Sequence, residues 1–573
     1  MPLITRAALV AITGVAVGAC TCATTRSGTP AGPDTPFPAA ALERIDAAGL
    51  LGHIEVLGSD AFEGRLPGTA GEQKTIEYLT TRFRELGLEP GNPDGRYVQD
   101  VPLVGITGQA GMTLASGQHR FDMQVGTDFV ATTARFVPTV SVDHSQLVFV
   151  GYGVQAPEYD WDDYKTAGGG DWSGKTLVML INDPAVPDPD RPGALDPALF
   201  RGEAMTYYGR WTYKYEIASR LGADAAIIIH ETGPAGYPWS VVEHSWTGEQ
   251  FELAAADRNM SRVPVQSWIT LDKARELFAA EGLDLDALKQ AATRRDFKPV
   301  PLQARASFRI DNQVREVQSH NVVARLPGTD PLLAGESVVY SAHWDHLGRN
   351  PGIDGDTIFN GALDNASGTA ALLELAEAFA TAPVRPRRSL LFMAVTAEEQ
   401  GLLGARHYAR HPLYPLDKTV AMINIDVVNP WGPTEDLQVI GIGQNTLEDT
   451  LASVLAEDGR RIVPDRSPEK GFYYRSDQFE FAKVGVPALY ADEGSTLIGC
   501  PDGTGESLRA AYVAHDYHDV SDEIKAGWDL SGAALDMRVL ARVGWRTANA
   551  DTWPQWKEGS EFRAVRAAQL ARD

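Results

Sequence analysis

From Ala41 to about Gly91, apolar residues recur at three- and four-residue intervals through ALERIDAAGLLGHIEVLGSD and again through GEQKTIEYLTTRFRELGLEPG. That spacing, running out at glycine, predicts two amphipathic helices. The intervening FEGRLPGTAGEQ carries Pro67-Gly68 and Gly71 and reads as a turn. Between about 126 and 300 the rhythm changes to the β-type runs SQLVFVGYGV, KTLVMLIND and ADAAIIIHE, separated by Gly, Pro and Asp clusters, with one helix around Tyr213–Leu221. From about 305 onward strand-like and helix-like runs alternate: ESVVYSAHWD, DNASGTAALLELAEAFA, RRSLLFMAVTAEE, QGLLGARHYARH, TVAMINIDVV and VGVPALYADEG. Alternation of this kind predicts an α/β fold, a mostly parallel central sheet flanked by helices. The expected division is 41–125 and 305–555 for this main domain, 126–300 for a small β-rich domain inserted in it, and 556–573 for a tail.

Length and composition add bounds. A chain of 573 residues exceeds what one core usually supports, and 44% hydrophobic with 22% charged residues is ordinary for a globular protein. The formal charge of -25, with 51 Lys and Arg against 76 Asp and Glu, argues against a nucleic-acid partner. Residues 2–19, PLITRAALVAITGVAVGA, place Arg6 before an apolar stretch shorter than the ~20 residues of a spanning helix. This predicts a signal peptide over 1–19 and an exported protein, in the cell envelope or secreted. Val17-Gly18-Ala19-Cys20 resembles the bacterial lipoprotein box, so a lipid on Cys20 would be the one membrane attachment, with ordinary signal cleavage as the alternative. Residues 20–40 are rich in Thr, Gly and Pro and read as a flexible tether. Three cysteines, Cys20, Cys22 and Cys500, make no disulfide framework, and none is expected.

The chemistry sits where strand-like runs stop. His343 and Asp345 follow VVYSA, Glu398 and Glu399 follow LLFMAVTA, and Asp426 follows AMINI. Asp364 and Asn365 open a helix, and His518 lies in the late loop AHDYHDVSDE. Open parallel sheets bind ligands beyond the carboxyl ends of their strands. Singly, each residue has an ordinary explanation, as a helix cap, a core histidine or a solvated strand end. Jointly, charged groups at the end of a buried sheet are costly unless paired or bound to metal. Imidazole and carboxylate without thiolate suit Zn, with Mn or Co as substitutes. Five such donors exceed one catalytic tetrahedral zinc and suit two zincs about 3.5–4 Å apart that share a carboxylate.

HWDHLG, NGALDNASGTA, AVTAEEQGLLGA, NIDVV and YHDVSD, in that order, resemble the motifs of the co-catalytic zinc aminopeptidase family, which also holds glutamate carboxypeptidases, glutaminyl cyclases and transferrin-receptor-like proteins. With GRLPGTAGEQ the resemblance covers most of 40–125 and 305–550. It implies the zinc exopeptidase fold, peptide substrates and two zinc ions per chain. Asp364 would bridge, His343 and Asp426 would complete one zinc, and Glu399 and His518 the other. Glu398 would be the general base, and the Asp345 carboxylate would fix the His343 tautomer. Neighbouring side chains of an extended segment point opposite ways, which would let Glu399 bind metal while Glu398 handles the proton. The resemblance further implies a cis peptide after Asp364 and a hydrogen bond from Tyr473 to the oxyanion, although Tyr473 equally reads as a packed aromatic beside Phe472 and Tyr474. Gln478 stands where the family often has His, and His346 and His515 compete with the proposed ligands. The insert resembles a protease-associated domain through VFVGYGVQAPEYDWDDY and GKTLVMLINDP, and is expected to overhang the active site. The alternatives are a carboxypeptidase, which would need a basic pocket for a terminal carboxylate, and a receptor-like binding protein.

Overall fold

The computed structural model describes residues 29–33, 35–165 and 170–571, so the signal segment, Cys20 and Cys22 lie outside the described residues. Helix α1 (Ala47–Leu57) starts at Asp46, whose carboxylate accepts the Gly49 amide at 2.8 Å, and it buries Leu50, Ile54 and Leu57 on one stripe. Helix α2 (Ala70–Glu85) buries Thr75, Leu79 and Phe83 at the same four-residue spacing. Both are the helices that the periodicity predicts.

A long strand, β1 (Val98–Ser116), leads into a lobe containing β2 (Thr139–Phe149), β3 (Lys175–Leu180), α3 (Trp211–Arg220), β4 (Ala225–His230), α4 (Trp239–Trp246) and β5 (Val265–Thr270). Strands β2, β3, β4 and β5 lie side by side and parallel in that order. Every residue of β4 is buried, as a strand covered on both faces requires.

The chain returns along β6 (Val300–Leu326) into the main sheet, formed by β7 (Ser337–His343), β8 (Ser389–Val395), β9 (Thr419–Asn424), β10 (Asp436–Ile440) and β11 (Ala488–Asp492). The spatial order is β10-β11-β9-β7-β8-β6. Strands β11, β9, β7 and β8 are parallel, β10 runs antiparallel to β11, and β6 runs antiparallel to β8. Side chains alternate across β7. Val338, Tyr340 and Ala342 join the core under α1 and the helices Gly368–Thr381 and Ser531–Asn549, while Val339 joins a second layer with Ala405, Tyr408 and Phe481. The mostly parallel sheet with helices on both faces is therefore the observed architecture.

Strand β6 has no counterpart in the sequence reading. It begins opposite β2, with Val300 facing Phe149, pairs with β1 from Arg305–Ala115 to Val322–Val98, and ends against β8, with Leu326 facing Leu390. One continuous strand thus belongs to both lobes. The core of the 126–300 lobe accordingly takes in Met112 and Leu114 from β1 and Leu302 to Ile310 from β6, and packing does not change at either edge of that range.

Behind the main sheet's carboxyl edge, the buried Arg65 donates to the carbonyls of Trp344 and Gly361 at 2.8 Å and of Leu57 and Asn360 at 2.7 Å. It pins the chain just after His343 and just before Asp364. Removing one partner of a buried charged network costs about 3–5 kcal/mol. Arg65→Ala is therefore expected to lower unfolding stability by about that much, read as a fall in the urea midpoint, whereas Arg44→Ala, at an exposed guanidinium, leaves it unchanged.

Candidate metal centre

Strands β7, β8 and β9 stop at one edge and hand over to His343, Glu398-Glu399 and Asp426. Nε2 of His343 lies 3.2 Å from Asp426 Oδ1 and 3.3 Å from Asp364 Oδ1. Nε2 of His518 lies 2.9 Å from Glu399 Oε2 and 3.3 Å from Asp364 Oδ2. Asp364 thus turns one oxygen to each imidazole. Glu398 Oε2 is 3.9 Å from His343 Nε2. Donor atoms of His343, Asp364 and Glu399 can all lie within 4.8 Å of one another. Among the described residues the buried Nε2 of His518 makes no hydrogen bond despite these distances, so a ring nitrogen and several carboxylate oxygens converge on one point. This donor set fits zinc.

Local sequence explains the convergence. Gly361 sits at φ 53°, and a Cβ there would lie 2.2 Å from the Asp364 carbonyl and 2.5 Å from the His346 ring, so only glycine fits. The Asp364–Asn365 peptide is cis, as the resemblance implies. Asn365 Oδ1 accepts the Val427 amide at 3.1 Å and its Nδ2 donates to the Ile425 carbonyl at 3.2 Å, holding the chain on both sides of Asp426. Asp522 accepts the amides of Leu363 and Asp364, both at 3.0 Å. Asp522, the bracing role of Asn365 and the network of Arg65 escape sequence reasoning. The one available signal for Asp522 is a second acid four residues past His518 in HDVSD.

Two expectations need correction. Nδ1 of His343 meets the main-chain oxygen of Asp345 at 3.2 Å, while the Asp345 carboxylate is 3.9 Å away. That carboxylate instead accepts the amides of Glu398 at 3.0 Å and Glu399 at 3.4 Å, so Asp345 steers the two glutamates and orients His343 through its backbone. Nor are Glu398 and Glu399 on opposite faces of a strand. Ala397 at φ 53° breaks the extension, and the Glu398 carbonyl accepts the Gly401 and Leu402 amides at 2.8 Å. In this turn both carboxylates face one cavity.

His346 proves to be a partner of Glu399, with Nδ1 2.6 Å from Oε1. His515 is exposed at the end of the helix Thr504–His515, away from the cluster that holds the buried His518. Tyr473 is corrected as well. It is buried among Ile440, Tyr474, Trp556 and Phe562, its hydroxyl has no partner, and it does not line the cavity. The packed-aromatic reading stands. Gln478 is fully buried, accepts from Asn424 at 3.0 Å and donates to the Tyr473 carbonyl at 2.8 Å, so it braces the chain behind the site.

Burial and charge set the protonation pattern. Burial opposes an imidazolium at His343, but Glu398, Asp364 and Asp426 hold its pKa well above the usual range. Likewise burial is outweighed at His518, which Glu399 and Asp364 raise to about 10. Burial would raise Glu399, yet His518 and His346 bring it down to about 2. At Glu398 burial wins, reinforced by Asp426 and Glu399, and the carboxyl rises well above its ordinary value.

The cluster opens into a cavity of about 260 Å³ between the lobes, to which the 126–300 lobe contributes Tyr207, Arg210 and Trp246.

Residues 321–539, which hold every residue of this cluster, match the profile of peptidase family M28. This segment belongs to peptidase family M28. Among curated relatives of the chain are a "Probable zinc metalloprotease" of Pyrenophora teres f. teres (strain 0-1), 41% identical over 19% of this chain and 22% of its own length, and "Leupeptin-inactivating enzyme 1" of Streptomyces exfoliatus, 31% identical over 29% and 34%. The chain thus matches about a third or less of the length of these relatives. The solved aminopeptidase from Aneurinibacillus sp. strain AM-1 shares the fold, with a TM-score of 0.51 at 19% identity over 91% of this chain and 96% of its own.

If the cluster of the M28 segment holds zinc through His518, His518→Ala purifies with less zinc by elemental analysis than the parent protein. His515→Ala retains the parental content.

Proposed function

We propose that the chain is a zinc-dependent exopeptidase that removes N-terminal residues from peptides and carries two zinc ions. The observation that carries this reading is Asp364, whose two oxygens each face a different imidazole at 3.3 Å, with Asp426 beside one and Glu399 beside the other. His343, Asp426 and Asp364 would hold one ion, and His518, Glu399 and Asp364 the second. The names of the relatives, a zinc metalloprotease and an aminopeptidase among them, support the same reading.

Zinc, when bound, supplies Lewis acidity that polarises a carbonyl and brings the pKa of water toward ~7. Glu398 does the proton work: in its ionised form the carboxylate, made more basic by burial, takes a proton from the attacking water at its Oε atoms and, as the carboxylic acid so formed, returns it to the leaving amine. Asp345 keeps it aimed through the Glu398 amide. The 126–300 lobe, read as a protease-associated domain, roofs the cavity and limits access to chain ends. The segment 1–19 and Cys20 support an exported, envelope-held protein.

A second reading is favoured by one observation. Arg210 is 8% exposed, lines the cavity, and its buried Nε has no hydrogen-bond partner among the described residues. Burial, with Arg475 nearby, pulls it down to about 10. Such a cation suits the terminal carboxylate of a substrate and hence a carboxypeptidase of the same family.

Glu398→Gln is expected to lower kcat by about 10²–10⁴-fold with zinc content unchanged. Aminoacyl-anilides, N-blocked peptides and C-blocked peptides, assayed with and without chelator, separate the two readings. An aminopeptidase spares N-blocked peptides, and Arg210→Met leaves its anilide turnover intact. A carboxypeptidase spares C-blocked ones, and Arg210→Met raises its KM.

A further inference from the structure

The two imidazoles of the metal centre are oriented from different lobes. His343 is held from within the M28 segment, by the main chain of Asp345. His518 is held from the insert. Ser245, in the last turn of α4, places Oγ 2.8 Å from His518 Nδ1, and the adjacent His244 places Nδ1 2.9 Å from the His518 carbonyl oxygen. His518 has φ 57°, a left-handed backbone that a non-glycine residue keeps only when its surroundings impose it.

We propose that Ser245 is a positioning residue of the metal centre, so that the inserted lobe completes one of the two zinc sites instead of merely covering it. The inference rests on the two-zinc reading above. An imidazole that binds metal through Nε2 must carry its proton on Nδ1, and the partner of that N–H fixes both tautomer and ring plane. Here the partner is Ser245 Oγ, which accepts the Nδ1 proton. His244 donates its own Nδ1 proton to the His518 carbonyl, so the insert holds the side chain and the backbone of one residue together.

The support is stiff. Val241 and Val242 bury one face of α4, Trp239 Nε1 donates to the Gly126 carbonyl at 2.6 Å, and Trp246 packs edge-on against Trp211 at 5.4 Å and Trp268 at 6.2 Å. Gln250 Nε2 donates to the Ser245 carbonyl at 3.1 Å. A serine held this way presents its hydroxyl at a fixed point, as orientation of a ligand demands.

The experiment is zinc titration of the full chain by chelator competition, with stoichiometry from native mass spectrometry, for the parent, Ser245→Ala, Ser245→Thr and Ser240→Ala. Ser240 is exposed on the same helix. Loss of an outer partner of a metal-bound histidine typically weakens binding about 10–100-fold. Ser245→Ala is expected to lose that factor at one of two sites with its melting temperature unchanged, Ser245→Thr to recover it, and Ser240→Ala to match the parent. Zinc should also slow hydrogen exchange in 239–246 in the parent and not in Ser245→Ala. Parental affinity at both sites in Ser245→Ala, or equal weakening at both, overturns the proposal and leaves the two-zinc reading intact. A parent that binds no zinc overturns both.

Discussion

The constraint on which the rest of this structure depends is the burial of several carboxylates at one sheet edge. Asp345, Asp364, Glu398, Asp477 and Asp522 are each under one-tenth exposed, within reach of His343, His346, His518 and Arg65. Charges taken out of water need partners, and each has a distinct solution. Asp364 is held well below the usual carboxylate range by the two imidazoles against the effect of burial. Asp477, with both oxygens unpartnered among the described residues, is pushed well above that range by burial, with Asp426 and Asp345 adding to it. Asp522 meets backbone amides. Arg65 supplies a fixed cation from behind and spends its own donors on four carbonyls, so the fold's one buried staple here is also part of the electrostatic balance.

That balance explains features far from the cluster. The GRLPGTAGEQ turn matters because it delivers Arg65, and the glycine at 361 matters because His346 and the Asp364 carbonyl already fill the space of a Cβ. Strand β6 then fixes the geometry between lobes. A strand paired to β2 at its start and β8 at its end transmits any tilt of the insert to the main sheet, and the cavity lies in the angle between them.

Much of this was legible in the chain. Buried parallel strands write themselves as continuous apolar runs, so β4, β7, β8 and β9 stand out, and the first polar residue after each main-sheet run marks the sheet edge. His343, Glu399 and Asp426 are brought together for that reason, while Asp364 reaches the same point from a helix start and His518 from a loop. What stayed hidden depends on turns and on tertiary pairing. The opposite-face argument for Glu398 and Glu399 fails because Ala397 is left-handed, which no alternation pattern reveals. Asp345 serves by its backbone, where its side chain was expected. Tyr473 and Tyr474 are indistinguishable in GFYYRSDQF, and only packing against Phe562 and Trp556 puts Tyr473 in the core and leaves Tyr474 on the cavity wall. Strand β6 alternates polar and apolar residues along a two-sided ribbon, a weaker signal than a buried strand.

The metal centre itself carries no direction along a peptide. Imidazoles and carboxylates converging on one point beside a glutamate favour neither end of a peptide, so polarity must come from groups that read the substrate's free terminus. In this cavity such groups come from both lobes, Arg210 from outside the M28 segment and Arg406, Arg475 and Glu493 from within it. Arg210 lies just before α3, and Ser245 and Trp246 end α4. Were Arg210 to read a substrate's terminal carboxylate, recognition would sit on the same lobe that meets the His518 imidazole. A substrate that shifts α4 would shift His518, and a lobe seated on His518 holds Arg210 at its place in the cavity. The insert thus borders the cavity beside the M28 segment, held to it by β6 and by the two hydrogen bonds that meet at His518.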